Sequence, residues 1–375
     1  MTPAGPVGAE VPVGAEVPGG GRVVVLTRGL PLHHAGGMES VAWDLCRALA
    51  ATGPVTALTT HLPGRPARAD VEGVDVRALP GTRPGRYSRT WWSASRRELE
   101  RLLAGGDVTG VLSVSAGAFS CLDLPGRGGA RLVLQAHGTS VMELTSKLTS
   151  RSPRAAASAV RNARGLLRDA RSYRRFDAVV AVGPAVARSL TSPPLGRLVG
   201  MPPVHVLANG VDTARFRPDP AAAAAERAAL HLPAGARVLL VTGRLHPQKR
   251  VDRAVRCLRE LTGRHPDLDA HLVVAGGGAE EPRLRALAAE LGVAGRVRFT
   301  GAVPRERVPA LCAAADVSLL TSQWREGLPM AVLESLACGT PAVTALTTAP
   351  VQDAGDAVVR ADAADPAALA AAVAG

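Results

Sequence analysis

Val238-Leu239-Leu240-Val241-Thr242-Gly243-Arg244-Leu245-His246-Pro247-Gln248-Lys249-Arg250 is the stretch on which the fold turns. Four apolar residues make a buried strand, Gly243 supplies a turn, and cations crowd the chain just before a helix predicted over 251–262. A short apolar strand running straight into a helix is half of a βαβ unit, so this strand belongs to a parallel sheet. The same alternation extends on both sides. Strands are predicted at Val23–Leu26, Val55–Leu58, Val74–Leu79, Val111–Val114, Leu132–Gln135 and Ala178–Val182. After 238–241 they continue at Leu272–Val274, Val297–Phe299, Val317–Leu320 and Ala342–Thr344. The pattern is too long for one open sheet and implies an α/β protein of two doubly wound parallel-sheet domains. Ligands of such sheets bind beyond the carboxyl ends of the strands, so two facing domains would make a cleft.

The domain limits follow from composition. Residues 1–21 repeat Val-Gly-Ala-Glu-Val-Pro at 7–12 and 13–18 and end in three glycines, the pattern of a disordered tail. Pro and Gly cluster between Ser192 and Pro203, which places an N-terminal Rossmann-like domain at 22–203 and a C-terminal one at 204–375.

Composition excludes several classes of protein. The 375 residues are 47% hydrophobic and 20% charged, which is globular. No apolar run reaches the ~20 residues of a membrane span, and no secretory leader is visible, so a cytoplasmic protein is expected. Cys46, Cys121, Cys257, Cys312 and Cys338 include no CxxC pair, so neither a disulfide framework nor a zinc ribbon is expected. The net charge is +12, yet aromatic residues are only 3%, too few for a base-stacking platform; no nucleic-acid partner is expected.

The glycine turn at 243 offers backbone N–H groups, a positive helix end and the side chains of Arg244 and Lys249 to one anion, and a diphosphate suits it. Lysine occurs only at 147 and 249, so a compact ammonium is marked out at Lys249. The second constellation is Glu326-Gly327-Leu328-Pro329-Met330-Ala331-Val332-Leu333-Glu334, running into Ala337-Cys338-Gly339-Thr340-Pro341. Pro329 suits the first helical position, and Gly339-Thr340-Pro341 stops the helix. Glu326 then sits in the loop at the helix's positive end, with Glu334 roughly 7–8 Å further along the axis at about 1.5 Å per residue. That spacing is too wide for a tight acid–base pair and suits hydroxyls at opposite ends of an elongated ligand. Gly36-Gly37 precedes a helix predicted from Met38 to Ala51, where bare glycines allow a close approach to phosphate or acceptor. His137 ends the strand Leu132–Gln135 in His-Gly.

Together, Gly243-Arg244 with Lys249, Glu326-x7-Glu334, the Ala-Cys-Gly-Thr-Pro stop, Asn209-Gly210-Val211-Asp212 and Gly36-Gly37 resemble the family-four retaining glycosyltransferases of the two-Rossmann GT-B fold. The resemblance spans roughly residues 22–345. It implies that Arg244 and Lys249 bind the nucleotide diphosphate, that Glu326 holds donor-sugar hydroxyls and that Glu334 holds the ribose. The amides of Gly327 and Leu328 would complete the cradle, and His137 would contact the transferred sugar. Asn209 is an acceptor or linker candidate. The implied activity is transfer of a hexose from a nucleotide sugar to a small-molecule, lipid or glycan acceptor, in a bacterial pathway, with no cofactor and no bound metal. A UDP-sugar is the preferred donor, with GDP-mannose second. A catalytically silent nucleotide-sugar-binding relative and a GT-B-fold sugar-nucleotide epimerase are the alternatives.

Other features point outward. Arg161, Arg164, Arg168, Arg171 and Arg175 recur at helical spacing, with Lys147, Arg151, Arg154 and Arg174 nearby. They suit a solvated face, an anionic membrane surface or a phosphorylated acceptor. Trp91-Trp92 is expected to pack against the first sheet, and Cys338 to pack where its helix ends. Two departures from the family pattern stand out. Thr344-Ala345-Leu346-Thr347-Thr348-Ala349-Pro350 replaces a Gly-Gly-x-Pro-Glu-like donor loop, and the long C-terminal crossover helices of the family are not seen before Gly375. A loosened, dimerising or aggregating protein is the expectation from the second departure.

Overall fold

The computed structural model describes residues 20–33, 36–142, 165, 168–193, 195–198, 200–323, 328–348, 351 and 354–375. Backbone contacts divide the chain into Met1–Asn209 and Gly210–Gly375.

The first unit carries an eight-stranded sheet in the order β3-β4-β2-β1-β5-β6-β7-β8. Its strands are β1 (Arg22–Leu26), β2 (Val55–Thr60), β3 (Arg68–Val71), β4 (Val74–Leu79), β5 (Val108–Val114), β6 (Arg131–Ala136), β7 (Ala178–Ala181) and β8 (Val204–Val206). All neighbours are parallel except the β3–β4 hairpin. Val24, Val25 and Leu26 are fully buried, as a central strand covered on both faces requires. On one face, α1 (Gly37–Ala50) packs Ala42, Trp43 and Cys46 over Val25. On the other, α2 (Arg89–Leu103) packs Trp91 and Leu99 over Val24 and Leu26. A third helix, α3 (Pro184–Thr191), adds Val186 and Leu190 to that second face.

The second unit is a six-stranded, all-parallel sheet in the order β11-β10-β9-β12-β13-β14. Its strands are β9 (Arg237–Thr242), β10 (Ala270–Ala275), β11 (Val297–Gly301), β12 (Val317–Leu320), β13 (Ala342–Ala345) and β14 (Val358–Ala361). Helices α4 (Pro220–Ala229), α5 (Val251–Arg264), α6 (Glu281–Glu290), α7 (Val308–Ala314), α8 (Met330–Ala337) and α9 (Pro366–Ala374) surround it. Val255 and Leu258 of α5 and Leu369 of α9 share one core with Leu239 and Val241, while Phe216 and Leu311 cover the face bearing Val238 and Leu240. This strand order is the doubly wound one, whose sense reverses between β9 and β12; in the first unit it reverses between β1 and β5.

Three sequence expectations need correction. The division falls after Asn209 rather than Pro203, because Val204–Val206 pairs with β7 and completes the first sheet. Pro329 is the N-cap of α8, in extended conformation, and Met330 is the first helical residue. The first helix begins at Gly37, one residue earlier than predicted, because Gly36 takes the extended N-cap position itself. Trp91 is buried as expected and donates from its indole nitrogen to the Gly117 carbonyl at 3.2 Å. No described helix is long and apolar enough to cross a membrane.

Candidate functional site

In the second unit the strand-to-helix turn of β9 is shaped by its neighbour. Gly243 has φ 132° and Gly276, just past β10, has φ 157°. A Cβ on Gly276 would lie 1.8 Å from the Gly243 carbonyl oxygen, and one on Gly278 would lie 2.3 Å from that of Leu245. The two loops are therefore zipped together through main chain: Gly243 N donates to Ala275 O at 3.0 Å, and Leu245 N to Gly277 O at 2.9 Å. The outer side of Gly243 faces open space. A turn built this way presents bare backbone at the point where the sheet reverses, which is where open α/β sheets bind ligands.

A 3-10 turn, Pro247–Lys249, follows and is capped by His246, whose Nδ1 accepts from Gln248 N at 3.3 Å. The hydroxyl of Thr321, just beyond β12, donates to the carbonyls of Lys249 and Arg250, each at 3.0 Å. Gln323 N donates to Gln248 O at 3.0 Å. These bonds fix the cationic turn against the end of β12. A pocket results, lined among others by Thr242, Gly243, Arg244, Lys249 and Thr321. The Thr242 hydroxyl oxygen is buried there without a hydrogen-bond partner.

The cations of this turn do not all serve the pocket. Arg250, in the left-handed region at φ 50°, spends its guanidinium on Asp252 through two 2.8 Å bonds. Burial pushes the Asp252 carboxyl up, and the Arg250 bonds and charge outweigh it and hold it below the usual range. Arg244 is exposed and Lys249 is half-buried at the pocket wall.

Glu334 lies on α8 and is buried, with Oε1 accepting from Arg305 Nη1 at 2.9 Å. Arg305 in turn lies over the ring of the fully buried Phe216, 5.4 Å from its centroid. Leu328 is half-buried, whereas Glu326 and Gly327 lie outside the described residues. Residues 344–348, in place of the expected donor loop, are well tied, while 349–350 lie outside the described residues. Thr347 Oγ1 donates to Ser322 O at 2.9 Å, and Arg360 reaches the carbonyls of Leu346 and Thr348. Cys338 is buried where α8 ends, its thiol directed at the Pro309 carbonyl at 3.7 Å. Among the described residues, no three carboxylate, imidazole or thiol groups cluster as metal ligands would.

In the first unit, Gly36 caps α1 with no side-chain bond and Gly37 opens the helix. His137 follows β6 with Nε2 at 3.1 Å from Gln135 Oε1. Burial, with the Arg28 charge adding to it, pushes its imidazolium down to about 4, so the ring is neutral near pH 7. Arg28, just past β1, is a residue the sequence did not single out. Its Nη2 lies 3.9 Å from the buried Glu39 carboxylate, and its guanidinium lies over the Tyr87 ring at 6.0 Å. Tyr87 donates to the Val114 carbonyl at 2.8 Å and stacks on Trp92 at 5.3 Å. Arg28, Arg305 and the glycines at 276 and 278 were all missed. A three-glycine run after a strand was a readable signal; single arginines in an arginine-rich chain were not. Asn209 falls at the end of the first unit. Of the arginine row, Arg168, Arg171, Arg174 and Arg175 are exposed, while Lys147, Arg151, Arg154, Arg161 and Arg164 lie outside the described residues.

Two doubly wound units, one bearing a cationic glycine turn at its switch point, define a glycosyltransferase fold of the GT-B type. The sucrose-phosphate synthase of Thermosynechococcus elongatus shares it with a TM-score of 0.76 at 20% identity, over 94% of this chain and 88% of that one. WaaG, a glycosyltransferase involved in lipopolysaccharide biosynthesis, does so with a TM-score of 0.68 at 18% identity, over 94% and 90%. The family model for Glycosyltransferase Family 4 matches residues 35–215, and that for Glycosyl transferases group 1 matches 223–374. The chain belongs to these family-four glycosyltransferases. It is 42% identical over 181 residues to the D-inositol 3-phosphate glycosyltransferase of Acidothermus cellulolyticus, covering 45% of this chain and 39% of that one. It is 34% identical over 254 residues to the GDP-mannose-dependent alpha-(1-6)-phosphatidylinositol monomannoside mannosyltransferase of Mycolicibacterium smegmatis, covering 65% and 60%. The chain thus spans between 39% and 60% of the length of these two relatives.

Proposed function

We propose that the protein transfers a hexose from a nucleoside-diphosphate sugar to an acceptor hydroxyl on a phosphorylated polyol or its lipid-linked form. The observation that carries the donor half is the pocket at the β9–β12 switch point, where Gly243, Arg244 and Lys249 meet the orphaned Thr242 hydroxyl. Bare amide groups and two cations there match a diphosphate in charge. Support for the acceptor comes from the inositol 3-phosphate and phosphatidylinositol compounds named in the two relatives. UDP-hexose is the donor to test first. GDP-mannose stands beside it, as the donor named in the relative with the longer overlap.

Chemistry in this reading rests on positioning and charge. Arg244 and Lys249 stabilise the leaving diphosphate as the bond from the anomeric carbon to the phosphate oxygen breaks. The acceptor oxygen bonds the anomeric carbon from the same side, and its proton passes to the departing phosphate oxygen, so configuration is retained. Charge compensation falls to these side chains, without a cofactor. The exposed arginines at 168, 171, 174 and 175 would meet an anionic membrane if the acceptor is a lipid.

Calorimetric titration with UDP and with GDP, on the protein and on Lys249→Ala, tests the reading. One nucleotide should bind, and the variant should lose about tenfold or more in affinity, as expected for one charge-assisted contact. No binding of either nucleotide by folded protein overturns it.

A further inference from the structure

We propose that Arg28 holds a phosphate group of the acceptor on the first unit. This rests on the acceptor reading above and names the residue that would carry it.

Arg28 stands at the first unit's own switch point, directly after β1 and beside β5. Its backbone is pinned, because the Thr60 hydroxyl donates to the Arg28 carbonyl at 2.6 Å and the Thr27 hydroxyl donates to Gly29 O at 2.9 Å. Its side chain remains 40% exposed, whereas Glu39 behind it is only 7% exposed. Gly29 makes room for that buried carboxylate, since a Cβ there would sit 3.2 Å from Glu39 Cγ. The 3.9 Å approach of Arg28 Nη2 to Glu39 is too long for a hydrogen bond. Glu39 therefore fixes where the guanidinium lies while leaving that donor group unspent. The Nε group is buried and has no hydrogen-bond partner.

Two neighbours complete the case. Tyr87 lies beneath the guanidinium plane and is itself held by Val114 and Trp92, which restricts how the fork can turn. His137 is neutral near pH 7 and its Nε2–H is donated to Gln135 Oε1 at 3.1 Å, so it adds no charge competing with the guanidinium for a phosphate. A planar fork with unspent donors, aimed by a buried counter-ion and exposed on one side, matches the oxygens of a phosphate better than a lone hydroxyl. A purely structural ion pair would instead use hydrogen-bond distances.

Titrating the full chain with myo-inositol 3-phosphate, with myo-inositol, and with vesicles of phosphatidylinositol or phosphatidylcholine tests this. The phosphate-bearing probe should bind about tenfold or more tightly than inositol, and Arg28→Met should remove that difference. Arg28→Lys keeps the charge but not the fork and should retain only part of it. Preference for the soluble phosphate or for phosphatidylinositol vesicles then tells a free sugar phosphate from a lipid headgroup. UDP and GDP titrated into the same samples should be insensitive to position 28. Loss of nucleotide binding in the parent protein would overturn the donor reading alone. Equal affinity for inositol and its phosphate, or phosphate affinity unchanged in Arg28→Met, overturns the proposal. If Arg28→Met does not fold, unchanged affinity in Arg28→Lys does so.

Discussion

Gly276 and Gly243 lie on the two sides of one backbone contact, and they should fail differently when substituted. In Gly276→Ala the new methyl group would meet the Gly243 carbonyl at 1.8 Å, and neither main chain can retreat without breaking the bonds that join the loops. A loss of about 3 kcal/mol or more is expected, together with loss of nucleotide binding. Gly243→Ala meets nothing within 4 Å, so only its φ of 132° resists. That costs about 1–2 kcal/mol. Thermal unfolding of the two variants checks the order, and a larger loss at 243 would contradict the packing described. His137 makes a separate prediction. Its folded imidazole titrates at about 4 against 6.5 for the free side chain, so between those values the unfolded chain binds the extra proton. Stability should fall as pH drops through that window and be insensitive to this ring above it. Because the ring is only half-buried, solvent screening limits the effect to about 1 kcal/mol. His271 shifts in the same direction, so the check is the difference between the protein and His137→Gln, whose stability should decline less from pH 6.5 to 4.

At the scale of elements, the second unit ties α7 to α8 through polar groups. Thr340 Oγ1 donates to the Cys312 carbonyl at 2.7 Å, and Arg305, in the turn before α7, grips Glu334 of α8. Arg305→Met should cost about 3–5 kcal/mol, because it strips a buried carboxylate of its ion-pair partner. Adding Glu334→Leu should recover much of that loss. A chemical-denaturation cycle over the four proteins measures it, and additive losses would show that the pair is not coupled. The elements also show what a sequence can reveal. Central strands such as β1 and β9 were legible because burial on both faces demands unbroken runs of Val and Leu. Strand β3 was not, since Arg68-Ala69-Asp70-Val71 is an edge whose Arg68 pairs with Asp75 at 2.8 Å, so its polarity reads as loop. Strand β8 is only three residues long, and β14 is a sheet edge with Val359 and Arg360 exposed, so neither shows the apolar run of a central strand. The glycine turn at 243 was legible because its backbone needs a special residue. Arg28 and Arg305 gain their meaning only from Glu39 and Glu334, which distant parts of the sequence bring to them.

At the scale of the molecule, each unit has its own sheet, covered on both faces, and its own cores, so neither needs the other to bury its strands. The groups assigned to the nucleotide and its diphosphate in the second unit, from Gly243 to Glu334, lie after Gly210, whereas Arg28, Gly36, Gly37, Glu39 and His137 lie before it. Residues 210–375 expressed alone should therefore fold cooperatively and bind the same nucleotide as the full chain. The cationic turn is held by Thr321, Gln323 and the Gly276–Gly278 loop, all within that unit. Affinity within about tenfold of the full chain is expected, since one such factor is ~1.4 kcal/mol, the weight of a single good contact. Calorimetry on the isolated unit, with circular dichroism to show that it is folded, makes the measurement. A folded unit that binds neither UDP nor GDP, beside a full chain that binds one of them, would move part of the nucleotide site into the first unit. Arg28 would then be the first side chain to reassign from acceptor to donor.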